Sequence, residues 1–463
     1  MAEPNSDAPA PTATTRPRRA VVVGVGTVGL HRALSLDDAG LEVTAYDVDQ
    51  SVVDDYRKGV DATGVVGDDR IAASDCAFTA DPGCIAAADV VFVAVPTRYE
   101  ADTECPLPTV RAAAETVGDR LTPGTTVVLE STVPPGGVTE VFTPALDAAA
   151  TPDAGEGFDV AYSPVRLSPG DQHTRTKLVA AERESAARAV ARLFERSYDS
   201  VHVVPDPATA AAAKCVENVY RDVNVALVNE LAAGLDALGL DADCVLDAAA
   251  TKWNVPLFRP GLVGGTCLPE DPKLFADRVA AAGGSTPLIH TARGINDAVP
   301  ARVADRTVDA LAARQCAREP DERPADDREV AADGAGGTAT ASAPPPADPP
   351  TVLLLGLAYK PDVADLSGSE AAAVASELAI LGVDVVGYDP LVDAERAASA
   401  FPFPIRTERP FEGVDGVTVL VGHSAFEGLT PSDVTVGADI PAIVDVPGVF
   451  DLEPNTDAVY RRH

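Results

Sequence analysis

Two short clusters carry most of the chemistry this sequence can offer. Gly24-Val25-Gly26-Thr27-Val28-Gly29 ends an apolar run and opens a helical one, and Asp47 closes the next apolar run. Glycines at that spacing permit a tight turn and let a pyrophosphate approach a helix N-terminus, while Asp47 can accept hydrogen bonds from ribose hydroxyls. That carboxylate would repel a 2′-phosphate, so the pattern predicts NAD rather than NADP. A glycine run alone could be an ordinary turn; strand, helix and distal acid in register make it a dinucleotide fingerprint. The second cluster is Gly264-Gly265-Thr266-Cys267-Leu268-Pro269-Glu270-Asp271. A thiol after glycines has an unencumbered backbone, and Asp271 could prepare water or shape the pocket. The alternative is a small buried thiol in a turn. Lys214 and Asn218, four residues apart on one helical face and followed by Arg221-Asp222-Val223-Asn224, could supply partners. Lys214 could equally be a solvated cation, but it follows a run of alanines in a chain whose only other lysines are Lys58, Lys177, Lys252, Lys273 and Lys360.

The whole chain narrows these options. Its 463 residues exceed what one hydrophobic core supports, so two or three domains are expected. Asp and Glu total 71 against 36 Lys and Arg, a net charge of −35. The acids are scattered rather than gathered in a tail, which reads as a surface adapted to high salt, where screening removes self-repulsion. Such a field argues against nucleic acid as partner. Any phosphate site must be built locally, from backbone N–H groups and a few placed cations. The seven cysteines include no Cys-x-x-Cys pair and the six histidines lack metal-ligand spacing, so neither a metal site nor a disulfide scaffold is expected. Met1 to Arg19 has no apolar signal core and no later run could span a bilayer, which predicts a cytoplasmic protein with no membrane partner.

The elements that must position the clusters follow from the hydrophobic pattern. Ala20–Gly24, Glu42–Asp47, Asp89–Pro96, Thr125–Glu130 and Asp159–Tyr162 read as strands separated by Ala-rich helices, the signature of βαβ units in a parallel sheet. From Pro207 to Leu240 the spacing turns helical without interruption, suggesting a helix through the middle of the molecule and a dimer seam. Further helices run to about Arg314. A Pro-, Ala- and Asp-rich stretch precedes Thr351–Gly356, a strand; Ser369–Leu381 is a helix and Asp384–Asp389 a strand. The fold class is therefore α/β, two Rossmann-like doubly wound domains joined by a central helical domain. The expected boundaries are a disordered tail over 1–18, an NAD-binding domain over 19–205, and a central dimerisation domain over 206–316. An acidic low-complexity linker over 317–350 then leads to a second Rossmann-like domain over 351–463.

Taken together, the motifs resemble the UDP-glucose/GDP-mannose dehydrogenase family over nearly all the ordered length. The Gly24 fingerprint carries the resemblance together with Val95-Pro96-Thr97, Glu130-Ser131-Thr132-Val133-Pro134-Pro135-Gly136, Lys214 to Glu230 and Gly264 to Pro272. Ala292 to Asp297 and Gly356-Leu357-Ala358-Tyr359-Lys360-Pro361-Asp362 complete it. Ser163-Pro164-Val165-Arg166-Leu167-Ser168-Pro169-Gly170-Asp171 and the Glu-Ser-Thr form of the Thr132 motif resemble the branch acting on UDP-N-acetylglucosamine or UDP-N-acetylmannosamine. The resemblance implies oxidation of a sugar C6 alcohol to a carboxylate by two NAD, with Cys267 as covalent nucleophile. It implies that Lys214 and Asn218 stabilise an oxyanion, and that Asp271 and Thr132 handle water. Gly24, Gly26, Thr27, Val28, Gly29, Asp47, Pro96, Thr97 and Thr132 would meet NAD. Arg166, Leu167, Lys214, Asn218, Arg259, Gly264, Tyr359 and Lys360 would meet the UDP-sugar, and a homodimer is implied.

The chain also departs from the family. Val165 stands where a proton-handling glutamate is usual, Ser367 where an arginine reaches the cofactor side, and Thr266 where the acetylamino-sugar branch often has histidine. The loop from Arg259 to Gly264 is a residue shorter than usual, and Arg259 is the substitute for the arginine that grips the sugar nucleotide. UDP-glucose as substrate, and a weakly active paralogue that binds both ligands, are the rival readings. A simple hydroxyacid dehydrogenase of similar domain plan would need neither Cys267 nor the second Rossmann half.

Overall fold

The structure is a computed structural model that describes residues 17–97, 107–151, 157–166, 176–318, 349–430, 432–434, 442–450 and 459–462. Most of the expected tail and linker, and Leu167, lie outside the described residues. The chain divides into two compact units, up to Lys214 and from Cys215 onward. The division falls inside one continuous helix, Pro207–Ala237.

The first unit is built on eight strands: β1 (Arg19–Val23), β2 (Glu42–Tyr46), β3 (Ala77–Thr79), β4 (Val90–Val93), β5 (Thr126–Leu129), β6 (Asp159–Tyr162), β7 (Thr176–Ala181) and β8 (Ser200–Val203). Their order is β3-β2-β1-β4-β5-β6-β7-β8. All neighbours are parallel except β6 and β7. Strand β1 shows why its sequence is apolar after Arg19. Ala20 and Val22 pack into the core on one face, Val21 and Val23 into the core on the other. A parallel sheet covered on both sides needs such runs rather than alternation. The order reverses between β1 and β4, which places a crevice at their carboxyl ends.

The second unit carries the remainder of the long helix, the helices Asp271–Ala281, Pro287–Asp297 and Val299–Arg318, and a five-stranded sheet. Its strands are β9 (Thr351–Leu355), β10 (Asp384–Tyr388), β11 (Gly416–Val419), β12 (Ala442–Asp445) and β13 (Val459–Arg462), in the order β10-β9-β11-β12-β13. Every pair is parallel. Both expected Rossmann-like sheets are therefore present. The strands β3, β7, β8 and β11 to β13 went unread in the sequence. They are three to six residues long, and half of them carry Thr, His or Arg inside the strand, which blurs an apolar run.

Candidate active site

Each fingerprint glycine does a different job. Gly24 has φ +85°, and a Cβ there would lie 2.9 Å from the Ala94 carbonyl oxygen. At Gly29 a Cβ would sit 1.8 Å from the Gly24 carbonyl oxygen, so this residue sets how closely the helix Thr27–Asp38 meets β1. Around Gly26 nothing in the protein lies within 4 Å of where a Cβ would be. No fold contact calls for that glycine; open space for a ligand does. It caps a helix whose first turn has no side-chain cap, leaving its N–H groups for an anion. Asp47 closes the site: its Oδ2 accepts from the Val25 N–H at 2.7 Å and its Oδ1 from the Asp49 N–H at 3.0 Å. These residues fit the pyrophosphate and ribose of NAD, and Val28 is exposed beside them.

Across the switch point, Thr97 Oγ1 donates to the Thr132 carbonyl at 2.6 Å and Ser131 Oγ to the Val95 carbonyl at 2.7 Å. The turns after β4 and β5 are thereby tied together, carrying Pro96, Thr97 and Thr132. Beneath them lies a charge cluster that sequence reasoning missed. Glu130 is fully buried and accepts from Arg32 Nε at 2.6 Å, Arg32 Nη2 at 2.8 Å and Lys177 Nζ at 2.7 Å. Lys177 Nζ also donates to the carbonyls of Ser163 and Pro164, at 3.3 and 3.2 Å. Phe194 and Tyr198 face both cations. Burial opposes ionisation of Glu130, yet Arg32 and Lys177 outweigh it and bring its carboxyl down to about 2. Burial lowers Lys177 to about 8 despite Glu130, with Arg32 and Lys214 adding to the fall. One network thus joins the fingerprint helix, the Thr132 turn and the turn bearing Val165. Its signal in the sequence was a charged residue at the end of an apolar strand, and a lysine where lysine is rare.

In the second unit the Cys267 thiol is exposed, whereas Cys215 is the buried one. Asp271 and Glu270 donate their N–H groups to the Cys267 carbonyl at 2.9 and 3.2 Å, forming the turn that starts the helix Asp271–Ala281. Asn218 Nδ2 donates to Asp271 Oδ2 at 2.5 Å, and both residues are buried. Lys214, also buried, lies one turn before Asn218 on the same helix. The glycines before Cys267 are required by close approach. Gly265 (φ +88°) donates its N–H to the Gly368 carbonyl at 2.8 Å, and a Cβ on Gly264 would lie 2.7 Å from that oxygen. The Tyr359 ring covers Gly265, and burial, then Asp365 and Cys267, push its phenol up to about 12.

Three other expected residues, Arg259, Arg166 and Lys360, have protein neighbours of their own. Arg259 pairs with Asp243 at 2.8 Å and Asp247 at 2.5 Å, so gripping a ligand would mean leaving both. Arg166 Nη1 donates to the Thr176 carbonyl at 3.1 Å. Lys360 Nζ lies 5.8 Å from the centre of the Tyr359 ring. Val165 is half-buried, and Ser367 donates its backbone N–H to Asp365 Oδ1 at 2.9 Å. Among the described residues no group of three His, Cys, Asp or Glu could hold a metal, and no helix is long and apolar enough to cross a membrane.

The dinucleotide crevice of the first unit is that of an NAD-dependent dehydrogenase, and the second unit adds an exposed cysteine preceded by closely packed glycines. Residues 18–197, 208–298 and 353–452 match, in order, the NAD binding, central and UDP binding domains of the UDP-glucose/GDP-mannose dehydrogenase family. The chain belongs to that family, and its cofactor is NAD. It is 32% identical to the UDP-N-acetyl-D-glucosamine 6-dehydrogenase of Pseudomonas aeruginosa, over 89% of this chain and 92% of that one. With the UDP-N-acetyl-D-mannosamine dehydrogenase of Yersinia pestis it shares 29%, over 93% and 98%. The structure of UDP-D-ManNAc dehydrogenase from Pyrococcus horikoshii superimposes with a TM-score of 0.79 at 25% identity, covering 96% of this chain and 98% of that one.

Proposed function

We propose that this chain is an NAD-dependent 6-dehydrogenase of a UDP-N-acetylhexosamine, UDP-N-acetylmannosamine or UDP-N-acetylglucosamine, working through Cys267. The observation that carries the reading is the exposed Cys267, whose carbonyl accepts the N–H of Asp271, itself buried and paired with Asn218. NAD supplies the hydride acceptor for each of two oxidations. The C6 alcohol loses a hydride and a proton to become an aldehyde, and the Cys267 sulfur adds to that carbonyl, giving a thiohemiacetal. Loss of a second hydride and a proton leaves a thioester. Water adds to it, the C–S bond breaks, the thiol leaves with a proton, and the uronate is released. Lys214 and the Asn218 amide stabilise oxygen charge at C6, while Asp271 and Thr132 orient water. With valine at position 165, hydrolysis rests on Asp271.

Gly24, Gly26, Thr27, Val28, Gly29, Asp47, Pro96 and Thr97 hold NAD. Arg166, Gly264, Tyr359 and Lys360 contact the UDP-sugar, with Arg259 free to join only after releasing Asp243 and Asp247. The protein works in the cytoplasm at high salt, in keeping with its net charge of −35 and the free thiols of the described cysteines. It acts as a homodimer. Val216, Tyr220, Leu227 and Leu231 are exposed on the long helix, and at about 100° per residue they fall within an arc of about 60°. Their spacing suits a second copy of the same helix.

The test is NADH released per sugar nucleotide at high salt, expected to be about two. NAD binding without NADH from any UDP-hexose would favour the weakly active paralogue, for which the Val165 and Ser367 replacements are the motive. A Cys267→Ser variant should stall before the acid; wild-type acid yield from it would remove the covalent route.

A further inference from the structure

The long helix grips the Cys267 segment at two points. Downstream of the thiol, Asn218 Nδ2 donates to Asp271 Oδ2. Upstream, the fully buried Asn229 closes on a peptide group. The Gly261 N–H donates to Asn229 Oδ1 at 2.7 Å, and Asn229 Nδ2 donates back to the Gly261 carbonyl at 3.1 Å. Asn218 and Asn229 are eleven residues apart, so at about 100° and 1.5 Å per residue they share one face, about 16 Å apart along the axis. That face is opposite the exposed apolar stripe. The segment 261–271 is suspended between the two amides, with Cys267 inside it.

Asn229 is itself braced. Its Nδ2 also donates to Asn296 Oδ1 at 2.9 Å, and Asn296 Nδ2 donates to the carbonyl and the carboxylate of Asp222, at 3.0 and 2.9 Å. Arg293 donates to the same carboxylate. Asp222, Arg293 and Asn296 are all buried. Apolar side chains could pack a loop against a helix. A buried amide that reproduces both halves of a peptide pairing does more, because directional bonds fix where the loop sits along the helix axis.

We propose that Asn229 is a positioning residue for Cys267: through Gly261 it sets the height of the nucleophile segment on the long helix. The proposal rests on Cys267 being the nucleophile. Asn229→Ala frees the upstream end while leaving the side chains of Asn218, Asp271 and Cys267 chemically intact. Its kcat should fall by about ten- to a hundredfold, the range for a displacement near an ångström. The rate at which iodoacetamide alkylates Cys267, mapped by mass spectrometry, should change several-fold by the same loosening. NAD affinity should stay within about twofold, since the fingerprint lies in the other unit.

Two controls separate positioning from folding. Asn296→Ala cuts into the same buried network but leaves both Asn229–Gly261 bonds, so it should lower the melting temperature without the loss in kcat. Gly261→Ala should be silent, because its Cβ would meet only Val446, at 3.8 Å. Should Asn229→Ala not fold, Asn229→Asp keeps the acceptor for the Gly261 N–H and is tested by the same readouts. A folded Asn229 variant with wild-type kcat and wild-type alkylation overturns the proposal. If Cys267→Ser keeps full acid yield, the nucleophile reading fails instead. An inactive Cys267→Ser beside a normal Asn229→Ala condemns the clamp alone.

Discussion

Replacing Gly26 by alanine should separate what the fold needs from what the cofactor needs. The backbone there has φ −75° and ψ −169°, an extended conformation open to any L-residue. A Cβ would find no protein atom within 4 Å. Glycine-to-alanine changes at such compatible positions stabilise by about 0.4–1 kcal/mol through the unfolded chain, so the melting temperature should hold or rise by about 1–3 °C. The new methyl can only obstruct a ligand. If it keeps the pyrophosphate from one charge-assisted N–H bond, the loss is about 1.5–3 kcal/mol, or about ten- to a hundredfold in NAD affinity. Gly29→Ala is the counter-case. Its Cβ would lie 1.8 Å from a backbone oxygen that no rotamer change can move, so stability should drop by about 2–3 kcal/mol or more. Calorimetric NAD titration beside a thermal melt reads both. Gly26→Ala that binds NAD like the wild type would show that the pyrophosphate does not lie over this residue, and a lower melting temperature would show that the space is not open.

Four further outcomes follow from the same geometry. Lys177→Met leaves Glu130 paired with Arg32 but takes a donor from Glu130 and from the buried carbonyls of Ser163 and Pro164, and should cost about 1–3 kcal/mol in denaturant unfolding. Glu130, held at about 2 against an ordinary 4.5, contributes about 3 kcal/mol that is fully present above pH 4.5 and is lost as pH falls from 4.5 towards 2. Glu130→Gln should remove that acid-side slope, read as melting temperature against pH. Leu227→Glu with Leu231→Glu should turn a dimer into monomer in sedimentation velocity, unless the exposed stripe has no partner. Raising KCl from about 0.1 to 1 M shortens screening from about 10 to 3 Å and should raise the melting temperature of this acidic chain.

Five of the first sheet's eight strands and the fingerprint were readable in the sequence because both rest on local rules: apolar runs for buried parallel strands, glycines where backbone or ligand comes close. Cys267, Asn218 and Asp271 could be named for the same reason, since helix and turn spacing place them. Glu130, Arg32 and Lys177 are far apart in the chain, and no spacing rule joins them; only the fold does. Asn229 was hidden differently. It lay inside a motif, but its partner is the backbone of Gly261, and a backbone partner leaves no mark in residue types. Arg259 is the reverse case. A free cation near the right loop suggests a ligand, yet Asp243 and Asp247, sixteen and twelve residues earlier, already hold it.

The two Rossmann-like sheets explain why the chain has one evident dinucleotide fingerprint. Asp47 and Asp389 occupy corresponding places, each following the strand beside a first strand that ends in a glycine with positive φ. Asp47 is half-buried and its two oxygens accept one backbone N–H each. Asp389 is buried, and its Oδ2 accepts from the N–H groups of Leu357 and Ala358 and faces His423 Nε2 at 3.0 Å, while Oδ1 accepts from Leu391. A carboxylate so fully engaged has little left for a ribose. The turn differs as well: after Gly356 come the buried Leu357 and Ala358, and the next helix does not start until Ala371. No helix N-terminus follows the glycine to receive a pyrophosphate. His423 Nδ1 instead accepts the Asp362 N–H at 2.9 Å, fixing the turn that carries Tyr359 and Lys360. The second sheet has thus closed its cofactor position, and the same strand end instead carries Tyr359 and Lys360 on a turn held by His423.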